Sequence, residues 1–127
     1  MKVTIESVAQ VATETFVSFS SEFGFAIANW MGLLPQIGGV YDVELEAEES
    51  VTWGVTANPV PINICSIGLV DGSIRLSGNI ISVDAEGVAG IEIGESIILI
   101  EIIGFSGNAP VFAELKVEKI SLFPTGI

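Results

Sequence analysis

Three observations on this chain predict an all-β fold. Its dominant hydrophobic period is two rather than 3.6. Its turn signals recur at strand-length intervals. Only one short stretch, 25–32, has a pattern that a helix could use. Six to eight strands spaced in this way, with at most one short helix, fit a small antiparallel barrel or a sandwich. A long bulged strand followed by a meander favours an OB-like barrel, and the 127 residues are read as a single all-β domain, 1–127.

In chain order, 3–8 and 11–19 alternate loosely and read as one long strand with an irregularity near Ala9-Gln10. The stretch 21–34 carries Phe23, Phe25, Ile27, Trp30, Met31, Leu33 and Leu34, and reads either as a short helix over 25–32 or as another strand. Gly24 argues against a long helix. Residues 34–39 form a loop. From Val40 to Glu49 the alternation is strict. Tyr41, Val43, Leu45 and Ala47 share one face, and Asp42, Glu44, Glu46 and Glu48 share the other, the pattern of a half-buried antiparallel strand.

Asp71-Gly72 joins strands at 62–70 and 73–84 as a two-residue hairpin. Within 73–84 the apolar parity changes, from Ile74 and Leu76 to Ile81 and Val83. Gly78-Asn79 sits at the change and marks a β-bulge. Turns at 84–87 and at Gly94-Glu95 lead into strands at 88–93 and 96–103. The latter is apolar on both faces, with Ile98, Ile100 and Ile102 on one and Ile97, Leu99 and Ile103 on the other. Such a strand is covered twice, within its own fold or by another molecule. A last clean alternation, 111–119, puts Val111, Ala113, Leu115 and Val117 opposite Glu114, Lys116 and Glu118.

Charge removes whole classes of function. The chain has 16 acidic residues against Lys2, Arg75, Lys116 and Lys119, no histidine, and a net charge of −12. It lacks the side chain most used for proton transfer near neutral pH and for metal ligation, so no Ser-His-Asp triad can form. Cys65 is flanked by apolar residues, has no histidine to activate it, and cannot form an internal disulfide. Four bases do not make a nucleic-acid groove, and anionic lipid repels so acidic a surface. No apolar run approaches the ~18 residues of a membrane helix. Gly38-Gly39 precedes a strand, not a helix that could cradle phosphate. The expectation is a cytoplasmic, non-catalytic protein with no cofactor, no metal, no nucleic acid and no membrane.

What remains is surface. On one strand, carboxylates of one face stand about 6.5–7 Å apart, too far to converge on a calcium ion, which needs oxygens at about 2.3–2.6 Å. The row Asp42, Glu44, Glu46 and Glu48, with Glu49 beside it, is either a solvated face or a docking face for a basic protein, with Trp53 or Trp30 as its anchor. An inhibitor or immunity-type protein of a basic enzyme has this profile. The alternatives are a self-assembling component, a homodimer or larger, that packs Ile98, Ile100 and Ile102 against its own copy, and a barrel that binds a small ligand or saccharide.

Overall fold

The computed structural model describes residues 1–125 and contains twelve strands, with no helix among the described residues. Strands β1 (Lys2–Val11), β2 (Glu14–Ser21) and β3 (Gly24–Trp30) form an antiparallel meander. β4 (Val40–Glu46) returns antiparallel to β1, and β12 (Ser121–Pro124) lies between β4, antiparallel, and β3, parallel. The ring β1–β2–β3–β12–β4 is therefore a closed five-stranded barrel. Its order is OB-like, with the fifth barrel strand delayed by seven inserted strands.

The inserted strands make a second curved sheet. β7 (Ser66–Val70), β8 (Ser73–Val83), β9 (Val88–Ile93) and β10 (Ser96–Ile103) run as a meander. β11 (Val111–Val117) pairs with the other edge of β8 and carries β6 (Ala57–Pro59), while β5 (Val51–Thr52) lies parallel to β10. A bridge between Trp53 and Ala57 brings the two ends of this sheet together. Buried side chains of both halves, from Val3, Phe19 and Leu45 to Ile80, Ile98 and Leu115, belong to one hydrophobic cluster.

The predicted turns form for the predicted reasons. Asp71 and Gly72 both have positive φ (51° and 81°), as a tight hairpin of this type requires. The Asp84 carboxylate accepts from the N–H groups of Glu86 and Val88, each at 2.9 Å.

Several expectations are corrected. Of the two readings of 21–34 the strand holds and the helix over 25–32 does not: 24–30 are strand β3, held by pairing with β2 along its length. The long strand expected over 3–19 is a hairpin that reverses at Ala12-Thr13, where Ala12 adopts φ 56°. Its irregularity falls at Glu6, where Ile5 faces Phe19 and Ser7 faces Ser18. The β8 bulge lies at Ile81, since Ile80 faces Ile91 and Ser82 faces Gly90. Gly78 has a different role. A Cβ there would meet the Glu92 carbonyl oxygen at 2.6 Å and Ile93 Cγ1 at 2.8 Å, so only glycine lets β9 fold across β8. Gly24 likewise joins the two sheets: it pairs with Ile67, has φ 136°, and a Cβ would collide with the Ile67 carbonyl.

Candidate functional site

β4 behaves as its alternation predicts. Val43, Leu45 and Ala47 are buried, and Asp42, Glu44, Glu46 and Glu48 are exposed. The row then divides. Asp42, Glu44 and Glu46 line a groove of about 620 Å³ between β4 and β10. Glu48, past the end of the strand, lines a different concavity together with Glu49. One charge of the row is paired, because Lys2, opposite Asp42 in the β1–β4 register, approaches its carboxylate to 3.3 Å. Glu49 has a structural task. Its carboxylate accepts from the N–H groups of Glu118 (2.6 Å) and Lys119 (3.1 Å), tying the β4–β5 link to the turn before β12.

On β10 the expected self-association face is the wrong one. Ile98, Ile100 and Ile102 are 1%, 3% and 2% exposed and belong to the core. Ile97, Leu99 and Ile103 are the outward residues, at 55%, 66% and 50%. Both parities were apolar, so only the fold could choose between them. Ile97 and Leu99, with Glu95 beside them, form the wall of the groove opposite Asp42, Glu44 and Glu46. The acidic row and the apolar row are thus two sides of one concavity. Nothing in the sequence places β10 beside β4, so the junction of this apolar row with the acidic row, and the place of Glu95 in it, is not legible there.

Neither tryptophan joins this groove. Trp30 is 4% exposed. Its indole N–H donates to the Leu33 carbonyl at 2.7 Å, and its ring meets Tyr41 edge-on at 5.1 Å. Tyr41 Oη in turn accepts from the Gln36 N–H. Trp30 therefore shapes the loop 31–39 from inside and is no surface anchor. That loop exposes Leu33, Leu34 and Ile37, a patch signalled in the sequence only by an apolar run broken by Gly32 and Pro35. Trp53 is half-buried against Phe105, ring centres 4.8 Å apart, where β5 meets β10.

The concavity beside Trp30, about 720 Å³, is of ligand-binding size. Its polar groups already engage one another: Asn29 donates to Glu14 at 3.1 Å, and Lys119 contacts the same carboxylate oxygen at 3.4 Å. The four basic side chains are dispersed. Arg75 and Lys116 face each other across β8 and β11, with Glu114 4.0 Å from Arg75. Cys65 is half-buried, its thiol 3.8 Å from the Glu92 carbonyl. Among the described residues no three acidic or thiol side chains gather as metal ligands do, and no helix is long and apolar enough to cross a membrane. Comparison with known proteins finds no matching family model, no matching curated protein and no matching solved structure.

Proposed function

We propose that this chain is a non-catalytic, acidic protein-binding module of the cytoplasm whose partner is a basic protein, in the manner of an inhibitor or immunity protein. The observation that carries this reading is the groove in which Asp42, Glu44 and Glu46 stand opposite Glu95, Ile97 and Leu99. Carboxylates steer a basic partner and set its orientation, while exposed isoleucine and leucine supply apolar area to bury. The net charge of −12 adds long-range attraction that salt screens.

The test is selection of random displayed peptides against the folded protein at low salt. Enriched peptides should be rich in lysine and arginine, and should bind more weakly as salt rises. They should lose binding to a Glu44→Lys/Glu46→Lys variant that keeps its thermal stability. Peptides without a basic bias, or binding indifferent to the double reversal, would end this reading.

A second reading has its own observation. Leu99 and its neighbours Ile97 and Ile103 are half-exposed or more on a single strand, and self-association through them would hide that surface. It requires an oligomer that survives high salt and dissociates on Leu99→Glu, measured by sedimentation equilibrium.

A further inference from the structure

β10 has one occupied edge and one largely open edge. The Ile102 N–H donates to the Gly87 carbonyl on the β9 side at 2.8 Å. Antiparallel alternation turns the backbone groups of Ser96, Ile98 and Ile100 the same way. Ile97, Leu99 and Glu101 therefore aim their N–H and C=O groups away from β9. On that far side β5 pairs only with Ile102 and Ile103, where the Trp53 N–H donates to the Ile103 carbonyl. Among the described residues no strand pairs with Ile97 or Leu99 along that edge; β4 borders it across the groove. The groove described above opens at this edge.

An open edge with apolar side chains is a template for another strand, and proteins usually blunt such edges with lysine, proline or a bulge. Among the described residues the ladder of β10 with β9 runs unbroken from Ser96 to Glu101 and carries none of these. What guards the edge is negative charge: Glu101 on β10, Glu95 in the turn before it, and Glu44 and Glu46 across the groove. That guard is selective. Pairing two β10 edges from two copies would bring these carboxylates together, whereas a basic segment would be attracted.

We propose that this edge, residues 97–101, binds its partner by strand addition, taking an extended segment in which apolar and basic residues alternate. This rests on the reading of the protein as a module for basic partners and specifies how that partner is held. Residues opposite Ile97 and Leu99 exchange backbone hydrogen bonds with them and share their outward face. These are the basic positions of the segment, because that face carries Ile97 and Leu99 on one wall of the groove and Glu44 and Glu46 on the other. The apolar positions lie on its inward face, the side of Ile98 and Ile100. Main-chain bonds supply affinity, and the alternating side chains supply selection.

The experiment uses the whole protein and a ten-residue peptide of alternating lysine and valine, titrated at low salt by fluorescence anisotropy. N-methylation of the lysine amides should weaken binding at least about fivefold per bond lost, and methylation of the valine amides should leave it within about twofold. Leu99→Pro removes an N–H that β9 does not use, so it should abolish binding while the variant still unfolds cooperatively. The peptide measurement needs no variant and stands if Leu99→Pro fails to fold. Equal loss from both methylated sets, loss from neither, or no binding of the parent peptide overturns strand addition. Loss on Glu44→Lys/Glu46→Lys without the alternating pattern leaves the acidic docking reading intact and removes only this mode. A salt-resistant dimer dissociated by Leu99→Pro would make the occupant a second copy, and also overturns the proposal.

Discussion

β4 and β10 border the same groove and have the same inward chemistry. Val43 and Leu45 on one, and Ile98, Ile100 and Ile102 on the other, are all buried. Their outward faces are opposites: Asp42, Glu44 and Glu46 on β4, and Ile97, Leu99 and Ile103 on β10. The inward rows fold the protein, because each buried aliphatic side chain contributes about 1.5–3 kcal/mol by leaving water. The outward rows contribute little to that and are free to serve recognition. A carboxylate row announces its face in the sequence, whereas an apolar row does not, since on β10 both faces look like core. Substituting the same residue on the two faces of β10 separates these roles.

The largest effect should come from such a matched pair, Ile100→Thr and Leu99→Thr. Threonine keeps the β-branched shape a strand favours. At Ile100, which is 3% exposed, it removes apolar volume from the core and introduces a buried hydroxyl. The expected loss is about 2–4 kcal/mol, from the cavity and the desolvated hydroxyl together. At Leu99 the change faces solvent and should stay within about 0.5 kcal/mol. Urea unfolding midpoints, with the slope unchanged, measure both. Similar losses at the two sites would mean that β10 is covered on both faces and has no recognition surface.

The same contrast explains what could be read from the sequence. Alternation located β4, β10 and β11, and glycine with aspartate located the turns around β8 and β9, because period and turn chemistry are local properties. Ala12-Thr13 escaped because neither residue is a usual hairpin residue. β3 was ambiguous because small Ala26 and Ala28 point inward while Phe25 and Ile27 are exposed, the reverse of the usual size order. β5 and β6 are too short to carry a period. Closure of the barrel depends on β12 reaching β3 across most of the chain, and the groove depends on β4 meeting β10. The acidic half of the candidate site was therefore legible and its apolar half was not, since the latter required knowing which parity of β10 the core would claim. Trp30 misled for the same reason: an aromatic side chain suits an anchor and a core equally.

A smaller effect distinguishes acids that look alike along β4 and its extension. Glu49 accepts two backbone N–H groups at the turn that leads into β12, the strand that closes the barrel. Glu49→Ala should cost about 1 kcal/mol by leaving those donors to water. Glu46→Ala, on the groove face, should change stability by less than about 0.5 kcal/mol. Thermal unfolding of the two variants side by side checks this. Equal costs would show that the row from 42 to 49 is uniform, with no division between holding the fold and facing a partner.

The smallest change should sharpen the comparison most for its size. Lys2 pairs with Asp42, one of the groove's carboxylates, and both are well exposed, with side-chain exposures of 73% and 55%. An exposed pair of this kind contributes little to folding, so Lys2→Gln should alter stability by less than about 0.5 kcal/mol. The same substitution frees Asp42 and leaves the protein one charge more negative. If the outward face of β4 is a docking face, the affinity for the lysine–valine peptide should rise about twofold at low salt, and the gain should vanish as salt is added. Titration of the peptide against both proteins at two ionic strengths gives the answer. An unchanged affinity would mean that the peptide does not sense Asp42, confining recognition to the β10 side of the groove and leaving this end of the acidic row as solvated surface.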